Sequence, residues 1–227
     1  EQKETDFYDS REEKPEWVVR TFPEMFAGTR SVLDIGSDKG YLKKYLGKDV
    51  RYVGVDRTPE ADVNFDLDSG ERLPFQDNEF DVIVAFDVLE HIENIHQIFD
   101  ELCRVSNKYV IISLPNPFSR LTAYLFGREY SEGPESKKNF GKYVKFYGLP
   151  LENPEDRHRW FFNAEESQEF IEYRSKKNSY KIAQSVHSID FTHGPKKWLK
   201  YLLSGFNRKR MLNFFNTTTY YVIEKES

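Results

Sequence analysis

The first residues that could do chemistry form a glycine-containing loop behind a short apolar segment. Residues 31–35 (SVLDI) predict a strand, and the loop GSDKG follows directly. Because glycine has no side chain, Gly36 and Gly40 permit a tight turn in which a ligand approaches the backbone before a helix. Asp56 ends the next apolar run, where a carboxylate can accept hydrogen bonds from both hydroxyls of an adenosine ribose. Loop and carboxylate together predict a cofactor that contains adenosine.

The charge of the loop narrows the choice of cofactor. A dinucleotide site of the form G-x-G-x-x-G offers bare backbone amides to a pyrophosphate, whereas this loop has Asp38 in place of the middle glycine. A carboxylate there would repel the pyrophosphate. S-Adenosylmethionine has no phosphate and carries an ammonium and a sulfonium, so an acidic loop suits it, with Asp34 and Asp38 as candidates for the ammonium end. The alternative for Asp38 is a simple helix cap, a position that Asp favours.

The elements that must position these residues alternate along the chain. Short apolar runs predict strands and periodic runs predict helices, an alternation typical of a parallel sheet with helices on both faces. The predicted strands are Ser31–Ile35, Arg51–Val55, Asp62–Leu67, Phe80–Phe86, Lys108–Leu114, Ile182–Phe191 and Thr217–Glu224. The predicted helices are Pro15–Met25, Tyr41–Leu46, Ile92–Val105 and Ala164–Lys176.

The segment from about Val32 to Pro115 resembles a known family, the class I methyltransferases of the type 11 kind. The resemblance rests on VLDIGSDKGYL, VGVD, DLDSGERLPFQDNEFDVIVAFDVLEHI and YVIISLPNP in this order and spacing. It implies an α/β Rossmann-like fold with a seven-stranded, mostly parallel sheet ordered 3-2-1-4-5-7-6, in which strand 7 is antiparallel. It also implies an enzyme that uses S-adenosylmethionine and releases S-adenosylhomocysteine.

The same resemblance assigns the cofactor-binding residues. The methionine half would be lined by Asp34, Gly36, Ser37 and Gly40, with Asp38 as a departure from the usual glycine. The adenosine half would be held by Asp56, Arg57, Asp66 and Leu67, and the methyl group would be bordered by Phe86 and Asp87. For Asp66 the alternative is a turn residue.

Two histidines are candidates for a general base. His91 follows the fourth predicted strand in Leu89-Glu90-His91-Ile92, a neighbourhood that faces the methyl group in similar enzymes; the alternative is that Glu90 and His91 cap and anchor the next helix. His158 belongs to residues 156–162 (DRHRWFF), a cluster expected to reach the active face of the sheet.

Residues of the same cluster are candidates for substrate binding. The guanidinium groups of Arg157 and Arg159 are suited to an anionic acceptor, with Trp160 and the more distant Tyr147 as further candidates. The alternative is a stabilising patch of aromatic rings and salt bridges. No arrangement of metal ligands is evident, so no metal is expected.

Composition limits the partners. The net charge of −5 argues against nucleic acid, and the expected acceptor is a small molecule or a lipid-linked one, with no obligate protein partner. Residues 196–210 combine six basic residues with an apolar stripe at Leu199, Leu202, Leu203 and Phe206, a pattern of either peripheral membrane contact or ordinary packing. The single cysteine, Cys103, and the polar N-terminus favour a cytoplasmic protein.

We expect a single methyltransferase domain over residues 1–227. It comprises an N-terminal arm and helix (1–29), a cofactor-binding half (30–114), a lid or substrate insertion (115–163) and a C-terminal half (164–227). The predicted function is methyl transfer by in-line displacement to a sugar, a glycolipid or another metabolite, with a hydroxyl as the favoured nucleophile. The alternative is a non-catalytic binding or scaffold module.

Overall fold

The computed structural model describes residues 8, 10, 12–119, 157–191 and 194–226. Within them, one seven-stranded sheet has the order β3-β2-β1-β4-β5-β7-β6. The strands are β1 Ser31–Ile35, β2 Arg51–Asp56, β3 Val63–Asn64, β4 Phe80–Phe86, β5 Ser106–Pro115, β6 Tyr180–His187 and β7 Thr218–Lys225. β7 is antiparallel to both of its neighbours, and the pairings among β1 to β5 are parallel. The predicted strand order and the antiparallel seventh strand are confirmed.

The helices cover both faces of this sheet. They are α1 Lys14–Thr21, α2 Pro23–Phe26, α3 Ile95–Val105, α4 Ala164–Lys177, α5 Gly194–Leu203 and α6 Arg208–Phe215. One apolar cluster joins α3 and α4 to the sheet, for example through Ile98 and Ile171. The cluster on the other face includes Trp17 and Val18 of α1. Because both faces are covered, the central strands are continuous apolar runs: Val82, Ile83, Val84 and Ala85 are all fully buried.

Several predicted boundaries are wrong in the first part of the chain. The helix expected over Pro15–Met25 is interrupted at Phe22, because Pro23 cannot donate a backbone hydrogen bond and disfavours helical geometry in the residue before it. The helix expected at Tyr41–Leu46 is a short 3₁₀ turn, Tyr41–Tyr45. The third strand is reduced to the two residues of β3.

Two further boundaries shift near the ends of strands. Leu89–His91 forms a separate 3₁₀ turn, so that α3 begins at Ile95 rather than Ile92. β6 ends at His187, and Ser188–Phe191 is a 3₁₀ turn instead of strand. None of the described helices is both long and apolar enough to cross a membrane.

The loop before β4 is fixed to α3 by Glu101. This buried carboxylate accepts hydrogen bonds from the backbone N–H of Leu73, at 2.9 Å, and from the guanidinium of Arg104, at 2.7 and 2.8 Å. Burial acts to raise the pKa of Glu101, but the hydrogen bonds from Arg104 and Leu73 outweigh it and the pKa is lowered. The ionised carboxylate is therefore the form that stabilises the fold.

We expect Glu101→Gln to lower the free energy of unfolding by about 2 kcal/mol at pH 7, since hydrogen bonds to a charged group are lost. A carboxyl group with a lowered folded pKa contributes stability above its unfolded pKa and loses it as the pH falls through the folded value. The deficit should therefore shrink below about pH 4.5, the ordinary value for Glu. Thermal unfolding from pH 7 to pH 3 measures it, with the exposed Glu71→Gln as the matched control. A deficit that is the same at every pH would contradict this role.

Candidate active site

The loop after β1 packs very closely against the end of β2 and against the turn after β4. Gly36 has φ +72° and Gly40 has φ +65°, both in the left-handed region. The backbone N–H groups of Gly36 and Ser37 both donate to the carbonyl oxygen of Val55, at 2.8 and 3.2 Å, which folds the loop over the end of β2. A Cβ atom on Gly36 would lie 2.3 Å from Cγ2 of Val88, the residue that leads from β4 into the following turn. Only glycine fits there.

Asp38 supports the loop through its backbone. Its φ is +46°, its side chain is exposed, and its N–H donates to Oδ2 of Asp56 at 3.0 Å. The alternative that Asp38 caps the next helix is wrong: Gly40 precedes the Tyr41–Tyr45 turn, and no side chain caps it. The loop thus closes on Asp56 with Asp38 in the place of the usual glycine.

Asp56 fits the predicted contact with a ribose. It is half-buried, and its two oxygens each accept one backbone hydrogen bond, Oδ2 from Asp38 and Oδ1 from Thr58 at 3.1 Å. Because each carboxylate oxygen can accept a second hydrogen bond, both retain capacity for a hydroxyl. The two existing bonds hold the carboxylate in one orientation.

Asp34 fits the predicted contact with an ammonium group. It is buried, and its Oδ2 accepts a hydrogen bond from the hydroxyl of Tyr52 at 2.7 Å. Burial raises the pKa of Asp34 to about 7, and the charge of Asp56 adds to the rise, while the hydrogen bond from Tyr52 opposes it. A cationic ligand beside Asp34 would favour the ionised form, so that this carboxylate is matched to a positive group.

The remaining predicted adenosine contacts lie beyond β2. Arg57 and Asp66 are exposed, and Oδ1 of Asp66 accepts from the N–H of Asp68 at 3.0 Å, as the turn interpretation predicted. The side chain of Leu67 is buried in the core. The roles of these residues toward adenine stay predictions.

The sequence predicted only some of the residues that surround Asp87. Asp87 has φ +54° and forms an ion pair with the buried Lys14 of α1. Its Oδ1 also accepts a hydrogen bond from Ser113 of β5, at 2.6 Å. Burial acts to lower the pKa of Lys14, but the charge of Asp87, the hydrogen bond to it and the charges of Tyr8 and Glu90 together outweigh burial, and the pKa is raised. Neither Lys14 nor Ser113 was a candidate from the sequence.

Phe86, the neighbour of Asp87, is half-buried and contacts the ring of Tyr220 with a centroid distance of 6.0 Å. Tyr220 in turn donates a hydrogen bond to the hydroxyl of Tyr8, at 2.8 Å. Residues from the N-terminal part of the chain therefore contribute to the surroundings of Asp87. No pattern in the sequence connects Tyr8 or Lys14 with a residue so far along the chain.

Both predicted histidines meet at the turn after β4. His91 Nε2 lies 3.8 Å from Oε1 of Glu90, and His158 Nε2 lies 3.9 Å from the same oxygen. The two imidazole centroids are 4.4 Å apart. We call these three residues the Glu90 cluster. Glu90 belongs to the Leu89–His91 turn, so its predicted alternative as part of the cap of α3 is wrong; Asn94 precedes that helix.

Backbone and indole hydrogen bonds bring His158 to this turn. The N–H of Arg159 donates to the carbonyl oxygen of Glu90 at 2.8 Å, and the indole N–H of Trp160 donates to that of Ile92 at 2.7 Å. Arg157 is exposed, and Arg159 lies 3.9 Å from Glu93 in an exposed ion pair. Trp160 thus anchors the segment, and its role toward a substrate stays a prediction, as do those of the arginines. Tyr147 lies outside the described residues.

Comparison with known proteins identifies the family. A protein-family sequence model described as a methyltransferase domain matches residues 8–172, well over half of the chain. The chain belongs to the methyltransferase domain family. An uncharacterized methyltransferase of Mycolicibacterium paratuberculosis is 30% identical over 148 residues, which are 56% of this chain and 54% of that protein. The chain therefore spans about half the length of the curated relatives it matches.

Solved structures show the same fold. An S-adenosylmethionine-dependent methyltransferase from Archaeoglobus fulgidus aligns over 95% of both chains, with 13% identity and a TM-score of 0.56. Magnesium protoporphyrin IX methyltransferase from Synechocystis, solved with bound S-adenosylhomocysteine, covers 98% of this chain and 90% of its own, with 13% identity and a TM-score of 0.52. At these identities the likeness extends to the fold alone. The expected class I methyltransferase architecture is confirmed, and S-adenosylmethionine is the cofactor that it supports.

The contact between Gly36 and Val88 can be tested with a matched pair of glycines. Gly36→Ala and Gly70→Ala carry the same backbone penalty of about 1 kcal/mol, since both glycines are left-handed, but a Cβ on Gly70 would meet nothing within 4 Å. We expect Gly36→Ala to lower the free energy of unfolding by about 1–3 kcal/mol more than Gly70→Ala does, because the added Cβ overpacks the contact with Val88. Thermal or urea unfolding measures the difference. Adding Val88→Ala should recover part of that excess. Equal costs for the two alanine variants would contradict the close approach.

Proposed function

We propose that this chain transfers a methyl group from S-adenosylmethionine to a hydroxyl group of a small or medium-sized acceptor, such as a sugar, a glycolipid or another metabolite. The observation that carries the proposal is the Glu90 cluster, where two imidazole nitrogens lie within 3.9 Å of one buried carboxylate oxygen. Glu90 and His91 belong to the turn that Val88 leads into, and Val88 packs against Gly36 of the cofactor loop. Proton-accepting groups therefore adjoin the loop expected to hold the methyl donor.

The cofactor supplies an electrophilic methyl group on a positively charged sulfur. Asp34 would hold the ammonium and Asp56 the ribose, which orients the methyl group toward the acceptor. In the reaction the acceptor oxygen forms the new O–C bond as the C–S bond breaks, and S-adenosylhomocysteine leaves as a neutral thioether. The hydroxyl proton goes to Nε2 of His91 or His158, and the Glu90 carboxylate stabilises the resulting imidazolium.

A hydroxyl acceptor accounts for the histidines better than an amine does. An alcohol is a weak nucleophile until its proton is removed, and a positioned base contributes about 10²–10⁴-fold to such a step. A neutral amine attacks a sulfonium without prior deprotonation. The exposed guanidinium of Arg157, near His158 in the chain, is available for an anionic part of the acceptor.

The scaffold alternative loses its main support. Asp38 suggested a decayed cofactor loop, yet its backbone takes the left-handed conformation and bonds Asp56. Its exposed carboxylate does not obstruct the loop. A cytoplasmic site of action remains part of the proposal, on the basis of the single buried thiol of Cys103.

The proposal is tested by screening hydroxyl and amine acceptors with S-adenosylmethionine and measuring S-adenosylhomocysteine formation. For an active hydroxyl acceptor, we expect His158→Gln and His91→Gln to lower kcat by about 10²–10⁴-fold for the more important histidine, with cofactor affinity unchanged. His96→Gln, an exposed histidine on α3, is the control. Turnover of amines alone, or unchanged kcat in both variants, would contradict the assignment.

A second part of the proposal concerns α5, which we propose rests on an anionic lipid surface and brings the site to a lipid-linked acceptor. Five large apolar side chains in and just after α5 are mostly exposed: Trp198 (71%), Leu199 (56%), Leu202 (58%), Leu203 (67%) and Phe206 (59%). Lys196 and Lys197 precede them in the same helix, and no acidic residue occurs between 196 and 210. Apolar side chains bordered by cations complement the headgroups and outer acyl region of an anionic membrane.

Vesicle co-sedimentation tests this surface. We expect binding to vesicles of phosphatidylcholine with phosphatidylserine, and little binding to phosphatidylcholine alone. Leu202→Ser with Leu203→Ser should abolish binding, and added salt should weaken it because the charge attraction is screened. Tyr173→Ser, at an equally exposed aromatic residue of α4, is the control. Binding that survives the double serine variant, or self-association that the variant abolishes in the absence of vesicles, would overturn the proposal.

A further inference from the structure

We propose that the Glu90 cluster binds a divalent transition-metal ion, of the zinc, manganese, iron or cobalt class. The three residues offer one carboxylate oxygen and two imidazole nitrogens, and these atoms all lie within 4.8 Å of one another. The expectation from the sequence was a site without metal. His158 is far from Glu90 and His91 along the chain, so their spacing matches no metal-binding motif.

The distances suit a small cation. Ligand atoms at about 2.1 Å from a tetrahedral ion lie roughly 3.4 Å apart. Both imidazole Nε2 atoms approach Oε1 of Glu90 to 3.8 and 3.9 Å. These separations are too long for a hydrogen bond. A contraction of about half an ångström would bring each imidazole to the tetrahedral spacing from the carboxylate oxygen.

Burial and charge favour a cation at this point. Glu90 is fully buried, and the side chains of His158 and His91 are only 5% and 17% exposed. A carboxylate in such surroundings is costly unless a positive group compensates it. A divalent ion between the carboxylate and the imidazoles would place positive charge directly against this carboxylate.

The backbone holds the ligands in place from two sides. Glu90 and His91 belong to a 3₁₀ turn closed by hydrogen bonds from His91 N–H to Val88 O and from Ile92 N–H to Leu89 O, at 3.0 and 3.2 Å. The chain that carries His158 is fixed to this same turn through Arg159 N–H and the indole of Trp160. Ligands held by packing and hydrogen bonds need little reorganisation when the ion binds.

The donor set identifies the class of metal. Two imidazoles and one carboxylate are the ligands of catalytic zinc sites and of non-haem iron sites, and both leave a coordination position open. Mg²⁺ prefers oxygen ligands. This inference rests on the proposed transfer to a hydroxyl and replaces only its proton step. The open position would take the acceptor hydroxyl and lower its pKa, the proton would pass to solvent water, and the histidines would act as ligands instead of bases.

The direct test is metal binding to the full chain after removal of metal by chelation. We expect one Zn²⁺ or Co²⁺ per chain by elemental analysis after dialysis, visible d–d absorption with Co²⁺, and no comparable binding of Mg²⁺.

Since even the partners of metal ligands contribute 10–100-fold to affinity, Glu90→Gln should weaken Zn²⁺ binding by roughly 100-fold or more. His91→Gln is the second variant, at the most exposed ligand, and should have the same effect if Glu90→Gln fails to fold. His96→Gln should bind as the unchanged protein does. Stoichiometry far below one, or Zn²⁺ affinity unchanged in both ligand variants, would overturn the site.

Activity separates this proposal from the proposed function. We expect chelation to slow methyl transfer to a hydroxyl acceptor and Zn²⁺, Mn²⁺ or Co²⁺ to restore it, with affinity for S-adenosylhomocysteine unchanged. Full methyl transfer by protein shown to be free of metal would overturn the metal site while the function stands. Stoichiometric Zn²⁺ binding in a protein that methylates no hydroxyl would uphold the site and contradict the function.

Discussion

The contact between Gly36 and Val88 is the constraint on which the rest of the site depends. It brings the turn after β4 against the loop after β1, at a distance that no residue with a Cβ would permit. The parallel pairing of β1 with β4 aligns the ends of these two strands at the same edge of the sheet. As a result, the loop expected to hold the cofactor and the turn that carries Glu90 and His91 lie side by side.

Several carboxylates lie at the carboxyl ends of β1, β2 and β4, and they differ in how their negative charge is compensated. Asp87 is paired with Lys14 of α1. Asp34 has only the neutral hydroxyl of Tyr52 as a described hydrogen-bond partner, and burial raises its pKa to about 7. A buried acid with a raised pKa at the edge of an open α/β sheet is typical of a functional position. A cofactor with an ammonium and a sulfonium completes this balance in a way that a pyrophosphate does not.

Local signals in the sequence were sufficient to predict the alternation of strands and helices and the position of the loop after β1, whose role in cofactor binding stays a prediction. Gly36, Asp38, Gly40 and Asp56 all lie near strand ends whose apolar runs are easily read, and the strand order followed from the resemblance. Boundaries failed where one residue overrides a periodic pattern, as Pro23 does in the N-terminal helix.

The main features that the sequence did not predict are contacts between distant parts of the chain. Lys14 reaches Asp87 and Ser113 reaches the same carboxylate from β5, although neither carries a signal of its own. His91 and His158 were recognised one by one, but their meeting on Glu90 depends on hydrogen bonds of Arg159 and Trp160 to the backbone of a short turn. Such tertiary contacts leave no period or spacing in the sequence.

Calorimetric titration with S-adenosylhomocysteine as a function of pH tests the cofactor site most directly. We expect one molecule bound per chain, with an affinity that rises roughly tenfold between pH 5.5 and 7, because the ligand ammonium requires the ionised form of Asp34. Asp34→Asn should remove this dependence, and Tyr52→Phe should move it to higher pH, since the hydrogen bond of Tyr52 lowers the pKa of Asp34. Absence of binding by folded protein would contradict the cofactor site, and an affinity that does not change over this range would contradict the role of Asp34.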